Sequence, residues 1–257
     1  MSELKSLASK LGFHAIASNW SEYADCDWLE GLLLREQKEK EKRNLDTRLR
    51  EARIGSFKPI SEFDWGWPER IDREQIEELF TLDFVKESLN VALVGNEGLG
   101  KTMIIQNLAY TAVMRGYHAL FIKASKMLND LLECDGKRSR KTILNRLCKT
   151  DVLCLDEIGY MRYDERYADL LYEVVAERYS NKKSTVISTN REFNKWSEIF
   201  PGAACTVTMV DKLVHKSEIV VVRGKSYRLR EAKLREEQKS KARKAKTATT
   251  AKPKPSK

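Results

Sequence analysis

Gly95-Asn96-Glu97-Gly98-Leu99-Gly100-Lys101-Thr102 is the stretch whose reading decides the fold. It follows an apolar run, Val91-Ala92-Leu93-Val94, and precedes a helical pattern from Met103 to Arg115. The pattern is G-x-x-x-x-G-K-T, set in the order strand, loop, helix. Glycines let such a loop curl until successive N–H groups point inward at a phosphate, and the helix N-terminus adds partial positive charge. Lys101 then reaches the β- and γ-phosphates of a nucleotide, and the Thr102 hydroxyl holds Mg2+. Every residue of the loop, and Met103 after it, is a candidate nucleotide contact.

Outward from the loop the same alternation repeats. Val91–Gly95, His118–Lys123, Val152–Leu155 and Thr185–Thr189 read as strands. Thr102–Arg115, Ser125–Glu133, Arg140–Lys149 and Asp164–Ser180 read as helices. The strands are almost continuously apolar, which predicts a parallel sheet covered on both faces, a doubly wound α/β domain over 71–230. Ligands of such sheets bind at the carboxyl ends of the strands. Ser217–Arg223 and Lys225–Arg230 look like a hairpin around Gly224.

Ahead of this domain, residues 1–55 read as a small helical domain. Residues 56–70 form a linker, broken by Pro59, Gly66 and Pro68 and carrying Phe57, Phe63, Trp65 and Trp67. These aromatics are expected to dock on the domain that follows. After it, 231–257 is a basic tail, charged and helix-permissive at first and then of low complexity, with the final dozen residues expected to be disordered.

Charge sharpens this division. The chain of 257 residues has 47 Lys/Arg and 38 Asp/Glu, a net +9. Twelve of the basic and three of the acidic residues lie from Arg228 onward, which leaves 35 of each before it. The basic character therefore belongs to the tail, as a sequence-independent phosphate binder or as a solubilising segment. The five cysteines are scattered, with no C-x-x-C, and the three histidines lack ligand spacing. Both features argue for reduced thiols in a cytoplasmic protein without a zinc site. No stretch approaches the ~18 apolar residues of a membrane span, and Met1 to Gly12 has no signal-like apolar core.

Two further strand tips carry chemistry. Leu153-Cys154-Leu155 ends in Asp156-Glu157. Asp156 fits the Mg2+ carboxylate, and Glu157 fits the base that polarises an attacking water. The fourth strand ends in Ser188-Thr189-Asn190, whose Asn190 amide suits hydrogen bonding to the γ-phosphate or the water. Lys101, Glu157 and Asn190 are thus the candidate catalytic residues, and Thr102 and Asp156 the metal ligands.

In order, Gly95–Thr102, Asp156-Glu157-Ile158-Gly159-Tyr160, Glu177-Arg178-Tyr179, Ser188-Thr189-Asn190-Arg191 and Ser226-Tyr227-Arg228-Leu229-Arg230 resemble the IstB-like transposition helper ATPases. These are AAA+ proteins related to the DnaC helicase loaders and DnaA initiators. Ile60-Ser61-Glu62-Phe63-Asp64 is similar to the family's Leu-x-x-Phe-Asp segment, so the resemblance runs from about Leu4 to Arg230. It implies an AAA+ P-loop fold with a minimal or absent C-terminal lid. It also implies an ATP- and Mg2+-dependent ATPase that multimerises on duplex DNA, remodels it and stimulates a transposase; no zinc finger or other base-reading signature appears, so little sequence specificity is expected.

In such assemblies a neighbour's arginine contacts the γ-phosphate. Where the family usually has Asp-Arg-Leu, this chain has Asp211-Lys212-Leu213. Lysine keeps the charge and loses the planar fork. Lys212, Arg178, Arg191 and Arg223 are the trans-acting candidates; Arg228 matches the family's second sensor, contributed in cis. The basic run Lys137, Arg138, Arg140 and Lys141 reads as a DNA-contacting loop between two helices, as initiator-type relatives imply, or as a solvated one. A helicase loader and a DNA-binding scaffold with negligible ATP turnover remain the competing readings.

Overall fold

The computed structural model describes residues 3–134, 136–160 and 163–250. At its centre is a five-stranded, all-parallel sheet of β1 (Asn90–Gly95), β2 (Ala119–Lys123), β3 (Val152–Ile158), β4 (Ser184–Thr189) and β5 (Ser217–Val222). Their order across the sheet is β2-β3-β4-β1-β5. The phosphate-loop strand β1 thus lies beside β4, and the Asp156 strand β3 lies on β4's other side. Three strand tips, carrying Gly95, Asn190 and Asp156-Glu157, meet on one edge.

Both faces are covered, as the apolar strands require. On one face α7 (Lys101–Met114) packs with the end of α4 (Asp27–Ala52), α5 (Arg73–Leu79) and α6 (Asp83–Lys86) over Val91, Leu93, Val152 and Cys154. On the other, α8 (Ala124–Leu132), α9 (Lys137–Lys149), α10 (Glu165–Ser180), α11 (Trp196–Ile199) and α12 (Thr206–Val214) cover Ala92, Val94, Leu153, Leu155 and Ile187. The side chain of Asp72 caps α5 by accepting from the Gln75 N–H at 3.0 Å.

The helical N-terminal region holds α1 (Glu3–Leu11), α2 (His14–Ser18), α3 (Trp20–Tyr23) and the first turns of α4 around Ala8, Leu29 and Leu33. That core is small. It is joined to the sheet by α4, whose 26 residues span about 39 Å. The far end of α4 puts Leu45, Leu49 and Ala52 into the core against the sheet. One helix, ending just short of the expected junction near residue 55, therefore packs into both cores.

Three expectations are corrected. Ser217–Val222 does not fold back on 225–230. It adds to β1 in parallel, from Asn90↔Ser217 to Gly95↔Val222. Its apolar Val220 and Val222 fill the core, and among the described residues the only antiparallel pairing it leads into is the bridge between Arg70 and Arg223. Beyond Gly224 the chain turns into α13 (Tyr227–Thr250), whose Lys, Arg, Glu and Ala residues are strong helix formers. The helix reaches Thr250, into the stretch expected to be disordered; residues 251–257 lie outside the described residues.

Likewise, the basic run 137–141 is not a loop. It forms the first turns of α9, begun at Gly136 with φ 111°. No helical lid follows β5 among the described residues, only α13. No helix among them is long and apolar enough to cross a membrane.

Candidate nucleotide-binding site

The phosphate loop bends where its glycines allow. Gly98 and Gly100 have φ 73° and 86°, in the left-handed region. Both also lie where a side chain has no room. A Cβ on Gly98 would sit 2.2 Å from Ser226 Oγ, and one on Gly100 2.4 Å from Phe63 Cε2. Lys101 is buried, and its Nζ donates to the carbonyls of Gly95 at 2.6 Å and Asn96 at 2.7 Å. The Tyr160 hydroxyl stands 3.5 Å from it.

Burial lowers the Lys101 ammonium from an ordinary 10.5 to about 8, against the pull of Asp156 and Glu97. The cation is the form that meets phosphate. ATP affinity is therefore expected to weaken as pH rises above about 8, by up to roughly tenfold per pH unit. Between 8 and 10.5 the unfolded chain holds this proton more firmly than the folded one, so the same group makes the fold more stable as pH rises. Titrations of ATP affinity and of thermal stability across that window should run in opposite directions.

Asp156 is fully buried at the tip of β3. It accepts from Thr102 Oγ1 at 2.9 Å and from the Ser188 hydroxyl. Burial holds its carboxyl above the usual range, and these two hydroxyls offset only part of that rise. Among the described residues no three acidic, His or Cys side chains cluster as a metal cage. The donor set is instead one hydroxyl and one carboxylate. That suits an ion such as Mg2+, which keeps several waters and takes further oxygens from phosphate.

At Glu157 the strand is interrupted. Leu155 pairs with Ile187 but Ile158 with Thr189, so β3 carries one extra residue. Glu157 takes up this bulge with φ 63°, a left-handed conformation that costs a non-glycine residue of order 1 kcal/mol or more. The Glu157 N–H donates to Ser188 Oγ at 2.9 Å, which holds the bulge. The result turns the Glu157 side chain out of the pleat and onto the cleft. There Lys123, at the tip of β2, reaches its carboxylate at 2.7 Å, and the bond raises the lysine's own affinity for its proton.

Asn190 stands at the tip of β4. Its Oδ1 is buried, has no hydrogen-bond partner among the described residues, and lies 3.3 Å from the Cβ position of Gly159.

The cleft beside the loop has a volume of about 480 Å³. Gly98 to Met103, Glu157, Tyr160 and Arg228 line one part of it; linker residues Phe57, Phe63 and Trp67 line another. The linker is fixed there by Asn107, which accepts from the Ile60 N–H at 3.0 Å and donates to the Lys58 carbonyl at 2.9 Å.

The candidates for contact with a neighbouring site separate cleanly. Arg178 is buried. Its guanidinium donates to Thr185 Oγ1 at 3.0 Å and to the carbonyls of Leu147 and Thr150 at 2.5 and 2.8 Å, so it ties α9 and α10 to the sheet and cannot reach another subunit. Arg191 and Arg223 are exposed on the phosphate-loop edge. Lys212 is on the opposite edge. Its carbonyl and that of Leu213 receive the amide of Asn90, the first residue of β1. Its ammonium sits 4.7 Å from the centre of the Tyr179 ring. Of the basic turn of α9, Arg140 pairs with Glu173 at 2.9 Å, and Arg138 and Lys141 are exposed.

Lys123, Ser188 and Tyr160 were not singled out from sequence for these positions. Lys123 had one legible signal, a basic residue ending the strand next to the acidic one.

Sheet order, phosphate loop and acidic strand tip define a P-loop nucleotide-binding protein of the AAA+ class. Within that class, residues 2–235 match the sequence profile of the IstB-like ATP-binding proteins, and the chain belongs to this family. It is 33% identical over 237 residues to a protein of insertion sequence IS5376 in Geobacillus stearothermophilus, covering 89% of this chain and 94% of that one. It is also 33% identical over 189 residues to a protein of IS21 in Pseudomonas aeruginosa, covering 74% and 71%. Both relatives are named for ATP binding.

Solved structures share the fold. DnaI superposes with a TM-score of 0.53 at 16% identity, over 67% of this chain and 90% of that one. The initiator DnaA, bound to AMPPCP and single-stranded DNA, superposes with 0.51 at 21% identity, over 64% and 49%.

Proposed function

We propose that this ATP-binding protein hydrolyses ATP with Mg2+, assembles as a homo-oligomer on duplex DNA in the cytoplasm without reading sequence, and thereby assists a transposase. The observation that carries turnover is the bulge that turns Glu157 onto the cleft beside Lys101. Thr102 and Asp156 would hold Mg2+, which would supply charge neutralisation at the phosphates. Asn190, with its unpartnered oxygen, orients the attacking water, and Glu157 accepts its proton. Arg228 faces the phosphates from α13. DNA and a transposase come from kinship: the relatives are insertion-sequence proteins. Arg138, Arg140, Lys141 and Lys137 on α9 are the internal phosphate contacts.

Glu157 must leave Lys123 to act as a base, so turnover is expected to depend on assembly. Steady-state hydrolysis should rise on adding duplex DNA. A near-zero rate that DNA does not change favours the scaffold reading instead.

The position of Lys212, on the edge opposite its own phosphate loop, supports a role in the site of the next subunit. Lys212→Ala and Glu157→Gln should each be inactive alone. A mixture of the two should regain turnover, because one subunit supplies the carboxylate and the other the ammonium. No regain removes Lys212 from the mechanism.

A further inference from the structure

We propose that α13 is an arm whose root is set by the nucleotide cleft and whose outer turns grip the phosphates of nucleic acid. This rests on the ATP-dependent DNA binding proposed above, and names the element that links the two ligands.

The root is part of the phosphate loop's surroundings. The Tyr227 N–H, first in the helix, donates to the Gly98 carbonyl at 2.8 Å, so Gly98 and the helix move together. Tyr227, Arg228 and Glu231 line the cleft. The linker then clasps the root from the other side. Trp67 Nε1 donates to the Lys225 carbonyl at 2.7 Å. Arg230 pairs with Asp64 at 2.9 Å and lies 4.5 Å from the centre of the Trp67 ring. Linker and arm therefore each press on one glycine of the phosphate loop, Phe63 on Gly100 and Ser226 on Gly98, and they hold each other.

Past that root the described side chains of the helix are open to solvent. Every residue from Ala232 to Lys241 is exposed, Leu234 among them. A helix of 24 residues is about 36 Å long. Helices in proteins are usually held by a buried face, which the stretch from Ala232 to Lys241 lacks. What it offers is charge. Lys233, Arg235, Lys239 and Lys241 outnumber Glu236 and Glu237, and Arg243, Lys244 and Lys246 follow in sequence. Such a rod suits a phosphate backbone. A small tilt at the root becomes a large displacement of the outer turns, so a change at Gly98 or Arg228 on ATP binding re-aims the arm.

The test is equilibrium binding of the full chain to a random-sequence DNA duplex, with and without saturating AMP-PNP and Mg2+. In the wild type the analogue should tighten DNA binding. Arg230→Gln breaks the clasp and should shrink that gain by roughly fivefold or more, the scale of ordinary coupling between sites. Lys239→Glu with Lys241→Glu should weaken DNA binding in both states and lower the salt slope by about 2. An unchanged gain in Arg230→Gln overturns the coupling. An unchanged affinity and slope in the double variant overturns the grip, and directs the arm to a protein partner. A wild type whose DNA binding ignores nucleotide overturns the parent reading, and with it the arm.

Discussion

Replacing Glu157 with glutamine is expected to lower ATP turnover by about two to four orders of magnitude, the usual contribution of a positioned general base. ATP affinity should change only a few-fold. The substitution removes the proton acceptor but keeps size and hydrogen bonding, and the backbone bond that holds the bulge, from the Glu157 N–H to Ser188 Oγ at 2.9 Å, does not depend on the side chain. Thr102 and Asp156, the proposed metal ligands, are untouched. The variant should therefore persist on DNA with ATP where the wild type dissociates. Single-turnover hydrolysis and off-rates from DNA read the two effects separately. Equal loss of binding and turnover would mean that Glu157 shapes the cleft rather than the reaction.

Replacing Lys101 with alanine is expected to cost about 3 kcal/mol or more of ATP affinity, at least ~100-fold, because a buried cation that meets phosphate charge is lost. The loop itself also loses anchors, since Lys101 Nζ holds the Gly95 and Asn96 carbonyls at 2.6 and 2.7 Å. Without bound nucleotide the protein should fail to assemble on DNA. Calorimetric titration with ATP gives the affinity. Comparison with Lys101→Arg separates loss of charge from loss of shape. If Lys101→Ala still forms large complexes on DNA with wild-type nucleotide dependence, ATP does not control assembly through this loop.

Much of this site was legible in sequence because it sits on regular elements. The strand–loop–helix setting of Gly95–Thr102 and the acidic tip at Asp156-Glu157 follow from patterns of a few residues, and the parallel sheet follows from unalternating apolar strands. What sequence missed depends on contacts between distant segments. Ser217–Val222 has the β-branched composition of any strand, and only the free edge of β1 decides that it pairs there instead of with 225–230. Arg178 looks like any helical arginine until α9, the turn after it and β4 close around it and bury it. The bulge at Glu157 and its Lys123 partner arise from register across three strands, which no local pattern encodes. The aromatic linker was expected to dock; that it forms a wall of the cleft and clasps α13 through Trp67 and Asp64 is visible only in three dimensions.

The most direct test of the central claim is the mass of complexes formed by the full chain on random-sequence duplex DNA, measured by sedimentation with Mg2+ and either ATP, AMP-PNP or no nucleotide. Large complexes are predicted with AMP-PNP, transient ones with ATP, and none without nucleotide. Complexes of the same mass and lifetime in all three conditions would contradict an ATP-controlled assembly on DNA.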